Sequence, residues 1–162
     1  MTYPLLTVDQ LHYIVTRITT HNYDNNKEID RGVLKTATGF FYRNIKNKLL
    51  FLITNRHVVR DPYENYFPNA IKLMLHTNIN DMTQNTEYPI HLYNGTKPIW
   101  RYPNHPEADV VAIPIDLHDF VTHRIICRTF ATNNMLKEYK LDIADDIFIM
   151  GYPLGIYDLA DL

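Results

Sequence analysis

The stretch LLFLITNRHVVRDP, from Leu49 to Pro62, indicates a buried strand and raises the question of function. Its first part is an apolar run that ends at Thr54, which is typical of a short strand buried in a sheet. His57 follows that run, where a turn would hold its imidazole at the edge of the sheet. A histidine in such a place often only ends a strand. It can also act as a general base near neutral pH if a carboxylate orients the ring.

Segments of the same kind recur along the chain and predict a mainly β fold. Ile71, Leu73 and Leu75 lie at every second position and predict one buried face of a strand. Asn94 and Gly95 form a dipeptide that is typical of a hairpin turn. Because the segments are short, evenly spaced and separated by turn residues, they indicate an all-β barrel or sandwich. The predicted strands are YIVTRITT (13–20), ATGFFYRN (37–44), LLFLIT (49–54), AIKLMLHT (70–77), YPIHLY (88–93), KPIW (97–100), VVAIPI (110–115) and IFIM (147–150).

Helix is predicted in only two short pieces. Near the N-terminus, Thr7 and Gln10 have the spacing of a capping box, and the second piece lies around residues 134–141. Gly39, inside a predicted strand, indicates a bulge or a close approach of two backbones.

The composition excludes several classes of function. A chain of 162 residues with 46% apolar and 21% charged residues is ordinary for one globular domain. The net charge of −2 and the lack of a basic stripe argue against a nucleic-acid partner. No apolar run approaches the roughly 20 residues of a membrane helix, and no secretory leader is visible. Cys127 is the single cysteine, which favours a reducing compartment. We therefore expect a soluble cytoplasmic protein with no membrane contact.

The carboxylate that His57 would need is best supplied by Asp109, at the start of the strand in EADVVAIPID. There the carboxylate can lie at the mouth of the strand with apolar side chains behind it. An aspartate at the start of a strand also commonly caps a turn. Glu107 and Asp116 are rivals, but Glu107 lies in the preceding loop and Asp116 at the far end of the strand. Position therefore favours Asp109.

Four segments, TGFFY, LITNRHVV, ADVVAIPI and IMGYPLG, connect the chain to a known family. Their order and spacing are similar to those of the trypsin-like serine peptidases, and the chain resembles the disulfide-free bacterial branch from about Val15 to Gly155. The resemblance implies a chymotrypsin-like antiparallel β-barrel fold and a hydrolase that needs no cofactor and no metal. It also implies that His57 is the general base and that Asp109 is the acid that orients it.

The resemblance further implies how the chain is divided. Residues 1–120 would form the N-terminal barrel, and residues 121–162 would form a linker and the first, truncated part of a second barrel. The segment GYPLG would open that second barrel with structural turn residues, which are Gly151, Pro153 and Gly155.

The nucleophile of the family is missing, because the sequence contains no serine. In the family a serine stands in a G-x-S-G-x-P motif, after the segment that resembles GYPLG. Cys127 could substitute, but RIICRTF lacks the glycine turn that an oxyanion hole needs, and a lone cysteine is usually a small buried apolar residue. None of the threonines lies in such a glycine turn either. We expect the nucleophile to lie beyond Leu162 and the chain as given to be inactive.

A zinc site is an alternative for the segment HDFVTHRIIC. Its possible ligands are His118, His123 and Cys127. Spacings of five and four residues on a strand-like segment would not place the three side chains on one face, and structural zinc sites usually have four ligands. The sequence therefore does not favour a metal site.

Two functions from different classes remain. The first is the N-terminal part of an endopeptidase that acts on a peptide or protein substrate. The second is a non-catalytic binding module that keeps the peptidase fold. Retention of both His57 and Asp109 favours the peptidase. The apolar residues 147–150 would need cover on both faces. We expect them to pack back against the first barrel, to pair with another copy of the chain, or to pair with the missing C-terminal barrel.

Overall fold

The computed structural model of the chain describes residues 14–24, 27–28, 35–44, 49–78, 81–105, 107–116, 137–138, 140 and 151. This part is mainly β, as predicted, with a six-stranded antiparallel sheet, short hairpins and one helical turn. In chain order, the elements are β1 (Val15–His21), β2 (Tyr23–Asp24), β3 (Lys27–Glu28), β4 (Thr36–Arg43), β5 (Leu50–Thr54), α1 (Arg56–Val59), β6 (Ala70–Asn78), β7 (Asp81–His91), β8 (Tyr93–Asn94), β9 (Lys97–Pro98) and β10 (Val111–Ile115).

The strands of the large sheet lie in the order β10-β5-β4-β1-β6-β7. β1 is central, since it pairs with β4 on one side and with β6 on the other. β2 pairs with β3, and β8 pairs with β9, in two separate hairpins. The loop between β8 and β9 is Gly95-Thr96, and Gly95 has a φ of +61°. This confirms the hairpin predicted from Asn94 and Gly95, since the favoured two-residue turns need a positive φ at this position.

The core lies against one face of the sheet. Along β6, Ile71, Leu73 and Leu75 are buried while Lys72 and Met74 are only partly covered, which confirms the predicted alternation. These three side chains belong to one apolar cluster to which β1, β4, β5, α1 and β10 also contribute. Its other buried members are Ile18, Phe41, Leu52, Val58, Val59, Ile90, Leu92, Trp100, Val111 and Ile113.

Gly39 of β4 lies close to the backbone of β5, which was one of the two alternatives predicted, since a Cβ atom there would lie 3.3 Å from the carbonyl oxygen of Ile53. A Cβ atom built on Gly39 would lie 2.6 Å from Leu52 Cδ1 and 2.8 Å from Ile18 Cδ1. Both neighbours are fully buried, so neither has room to move away. Any side chain at position 39 would therefore displace the core beneath it.

The two edge strands of the sheet are bridged. Tyr88 of β7 donates its hydroxyl hydrogen bond to the carbonyl oxygen of Asp116, just after β10, at 2.7 Å. Arg101, which follows β9 and lies outside the named strands, also exchanges two backbone hydrogen bonds with Ala112 of β10, at 2.9 and 2.8 Å. Within the ranges given above, β7 and β10 do not form a ladder. The observed architecture is therefore a six-stranded sheet with linked edges, and a closed barrel is not seen in it.

Several predicted elements lie outside the described residues, namely the helical piece near the N-terminus and the strand at 147–150. In the predicted helical piece around 134–141, Lys137 and Glu138 are helical and Lys140 lies in a turn with a φ of +52°. None of the helices that the structure describes has the length and apolar character needed to cross a membrane.

Candidate functional site

The candidate site lies where β5 ends and β10 begins. Thr54, the last residue of β5, is paired with Val111, the first residue of β10. Because the two strands are antiparallel neighbours, the chain leaving β5 and the chain entering β10 lie at the same end of the sheet. This pairing brings His57 and Asp109 together although 52 positions separate them in the sequence.

The helical turn α1 presents His57 to solvent. Val58 and Val59 are buried in the core, and the backbone N–H of Arg60 donates to the carbonyl oxygen of Arg56 at 2.9 Å to close the turn. The two anchored valines leave the opposite side of the turn for His57, whose side chain is 55% exposed. The imidazole is therefore exposed at the surface, while the two buried valines hold the backbone that carries it.

His57 contacts Asp109 through both its backbone and its ring. The backbone N–H of His57 donates to Oδ1 of Asp109 at 3.0 Å. Nδ1 of the ring lies 2.6 Å from Oδ2 of the same carboxylate. The contact expected from the sequence is thus present in the geometry, with one carboxylate oxygen for the backbone and the other for the ring. Whether the two residues act in catalysis stays a prediction.

Asn55 completes the set of donors around Asp109. Its side-chain Nδ2 donates to the carbonyl oxygen of Asp109 at 3.0 Å and to Oδ2 at 3.2 Å. No role was assigned to Asn55 from the sequence, where it stands only as a residue between the apolar run of β5 and His57. The signal that could have found it is its position two residues before His57 at the end of a strand.

The electrostatics of the pair fix the position of the proton. Partial burial raises the pKa of the Asp109 carboxyl, but this effect is outweighed by hydrogen bonds from the backbone and ring of His57, by the charge of His57 and by the amide of Asn55. The pKa of Asp109 is therefore lowered, and its carboxylate is ionised and only accepts hydrogen bonds at neutral pH. The proton between the two groups must then lie on Nδ1 of His57.

This arrangement leaves Nε2 of His57 as the reactive nitrogen. With Nδ1 protonated, Nε2 of the neutral ring carries a lone pair and can accept a proton. Among the described residues, no group forms a hydrogen bond with Nε2. The pair can therefore serve as a proton acceptor whose ring is held by a carboxylate, which is the arrangement a general base needs.

The rival carboxylates are not in this position. Glu107 is exposed in the turn before Asp109, and Asp116 follows the opposite end of β10. Both hydrogen bonds from His57 to a carboxylate go to Asp109. The preference for Asp109 on position agrees with the geometry.

Gly151, the first residue of GYPLG, lies against the same part of the sheet. A Cβ built on Gly151 would lie 3.2 Å from Thr38 Oγ1, so its backbone packs against the Thr38 side chain. The carbonyl oxygen of Thr38 in turn accepts a hydrogen bond from the hydroxyl of Thr54 at 2.8 Å, at the end of β5. The chain at Gly151 therefore returns to the end of β5 that precedes His57. The other predicted turn residues, Pro153 and Gly155, lie outside the described residues.

The remaining predicted nucleophile and metal ligands lie outside the described residues. Cys127, His118 and His123 fall in ranges that the structure does not describe. In the part that it does describe, no group of three or more His, Cys, Asp or Glu side chains could hold a metal ion.

Comparison of the chain with protein-family models, with curated protein sequences and with solved structures found no match.

Proposed function

We propose that this chain supplies the general base and the orienting acid of a trypsin-like serine endopeptidase. The observation that carries the proposal is the 2.6 Å contact between His57 Nδ1 and Asp109 Oδ2, which leaves Nε2 of an exposed ring without a described partner. The similarity of TGFFY, LITNRHVV, ADVVAIPI and IMGYPLG to that family supports it. Because the sequence contains no serine, the nucleophile would come from outside these 162 residues.

In the proposed reaction, His57 moves one proton twice. Nε2 takes the proton of the serine hydroxyl while the oxygen attacks the scissile carbonyl, and it then gives that proton to the leaving amine. Asp109 keeps the ring in the required tautomer and stabilises the imidazolium that forms between the two steps. The donors of the oxyanion hole and the pocket that selects the substrate would also come from outside this chain.

The proposal includes a chymotrypsin-like barrel made by residues 1–120. The hydrogen bond from Tyr88 of β7 to Asp116 after β10 supports it, since it joins the two edges of the sheet. The proposal also includes a second unit in residues 121–162, and the contact of Gly151 with Thr38 supports a position of its GYPLG segment near the end of β5. As part of this proposal the protein acts in the cytoplasm on peptides or proteins.

The test extends the chain by the residues that its gene encodes after codon 162. We expect a G-x-S-G-x-P motif there, labelling of its serine by a fluorophosphonate probe, and peptide hydrolysis that is lost in His57→Ala and Asp109→Asn. His105→Ala is the matched control, because His105 is also exposed but lies in the loop before Asp109. The 162-residue chain should be neither labelled nor active. Hydrolysis that survives in His57→Ala, or an active 162-residue chain, would contradict the proposal.

A non-catalytic binding module is the second candidate, and the absence of serine is the observation that favours it. A stop codon directly after codon 162 would favour this module. In that case His57→Ala would leave binding of the partner unchanged unless the partner docks on the ring itself.

A further inference from the structure

Asn55 occupies a capping position that it does not use. It directly precedes α1 with an extended backbone, at φ −72° and ψ 147°, where an asparagine side chain normally accepts a hydrogen bond from the first turn. In this structure the side chain forms no such bond. The amide is turned away from α1 and toward Asp109, so its role concerns Asp109 rather than the helical turn.

The chemistry of the two contacts fixes the orientation of this amide. Both partners of Nδ2, the carbonyl oxygen and Oδ2 of Asp109, can only accept hydrogen bonds. The nitrogen must therefore face them, because the amide oxygen in that place would meet two other oxygens. Nδ2 carries two hydrogens, so it can serve both acceptors at once.

Asp109 needs such a clamp because it is not enclosed. Its side chain is 43% exposed, and a carboxylate in contact with water can rotate among several rotamers. His57 alone holds one oxygen by its backbone and the other by its ring. Asn55 adds a link between the carboxylate and the main chain of the same residue, which restricts the torsions that would carry Oδ2 away from Nδ1.

We propose that Asn55 is a positioning residue that locks the carboxylate of Asp109 and thereby holds His57 in the tautomer with the proton on Nδ1. The inference deepens the proposed function and rests on it for its catalytic meaning. Asn55 itself touches no reacting atom in this scheme. Removal of its amide should therefore change the protonation geometry of His57 while the sheet remains intact.

The test is ¹⁵N NMR of the ring nitrogens in the uniformly labelled 162-residue chain, with His57 assigned from the signals lost in His57→Gln. At a pH where the ring is neutral, we expect the Nδ1–H tautomer to predominate. In Asn55→Ala the ratio of the Nδ1–H to the Nε2–H tautomer should fall roughly fivefold, which corresponds to the net strength of one hydrogen bond. The ¹³C titration of the Asp109 carboxyl should also move to higher pH.

Asn85→Ala is the matched control. Asn85 is an exposed asparagine whose amide also donates to a carbonyl oxygen, that of Thr83 at 3.2 Å, but it lies on β7. This variant should leave both readouts unchanged. Asn55→Asp, which has the same shape but cannot donate and brings a second negative charge, should move the Asp109 titration further than Asn55→Ala does.

A measurement on the unaltered chain covers the case in which a variant does not fold. The side-chain amide protons of Asn55 should shift with the same midpoint as the Asp109 carboxyl carbon. An unchanged tautomer ratio in a folded Asn55→Ala, or Asn55 amide signals that ignore the titration of Asp109, would overturn the proposal. None of these readouts depends on hydrolysis, so the positioning role can stand or fall separately from the peptidase function.

Discussion

Two histidines at the ends of strands show how similar sequence contexts produce different chemistry. His21 is the last residue of β1 and is only 2% exposed, and its Nε2 lies 2.8 Å from the hydroxyl oxygen of Thr19. His57 follows β5, is exposed, and uses Nδ1 for Asp109, while its Nε2 has no hydrogen-bond partner among the described residues. The nitrogen that a general base must offer is therefore occupied in His21 and open in His57.

His21 and His57 both lie at the end of a strand, so the difference between them comes from the burial and the hydrogen-bond partners of their rings. A buried ring with a neutral hydroxyl partner contributes to packing and hydrogen bonding, and reaching it requires local opening of the fold. An exposed ring held by a carboxylate keeps its orientation and can exchange a proton at its other nitrogen. Four experiments test this difference between His21 and His57.

The largest effect is expected in activity. In a chain extended to include a serine nucleophile, His57→Ala should lower kcat/KM by about 10⁴-fold or more, because the general base is lost. His21→Gln should retain most of the activity per folded molecule. Steady-state hydrolysis of a peptide substrate, normalised to the folded fraction from circular dichroism, measures both. Equal losses in the two variants would remove the distinction between the two histidines.

Chemical access should separate the same residues in the 162-residue chain. Diethylpyrocarbonate acylates an unprotonated ring nitrogen, so we expect His57 to react at least roughly tenfold faster than His21, which is reached only through opening of the sheet. Peptide mapping by mass spectrometry over a time course gives the two rates. His105, another exposed histidine, provides the reference for an unhindered ring. Modification of His21 at the rate of His105 would show that the fold does not shield the ring of His21 from the reagent.

The effects of the two substitutions on stability should have the opposite order, with the larger loss for the buried His21. His21→Ala removes a buried ring and leaves the Thr19 hydroxyl without that partner, which should lower the free energy of unfolding by about 1–3 kcal/mol. His57→Ala removes an exposed ring and should cost less than about 1 kcal/mol. Urea unfolding followed by circular dichroism compares the two. A larger loss for His57→Ala would mean that the site is part of the structural core.

The smallest expected effect is on the free energy of unfolding at acid pH. The pKa of Asp109 is lowered in the folded chain below its ordinary value of 3.8, so its contribution to stability is present above that value and disappears as pH falls through the folded pKa. Because the carboxylate is exposed, the contribution should be about 0.5 kcal/mol. Asp109→Asn should flatten the profile below pH 3.8 by that amount in urea titrations. An identical acid profile in Asp109→Asn and the unaltered chain would argue against the ion pair.

Where the burial of a strand follows from its own pattern of apolar residues, the sequence was sufficient to predict that strand. The alternation of Ile71, Leu73 and Leu75 predicted β6 because one face of that strand is covered. Of β7, only the end from Tyr88 to His91 lies in a predicted strand. The residues from Asp81 to Glu87 are polar apart from Met82, and they belong to the strand because β6 pairs with β7. Pairing across a sheet is not visible in the composition of one segment.

The site shows the same limit. Position along the chain was enough to favour Asp109, because antiparallel pairing of the two predicted strands places their ends together. The four-residue turn α1 is too short for any periodicity, and its two valines favour a strand by propensity. The role of Asn55 depends on a tertiary contact over 54 positions, which overrides its local preference as a cap.

The strand order determines when this site can exist during synthesis of the chain. β1 is made first but lies in the centre of the sheet, so one of its two edges waits for β6. β10 is made last among the described strands, and its pairing with β5 carries Asp109 to His57. A nascent chain that has emerged only as far as Trp100 therefore contains His57 but not yet Asp109. Closure of this 52-residue separation is a long-range step. The contact between His57 and Asp109 thus cannot form before the start of β10 has been synthesised.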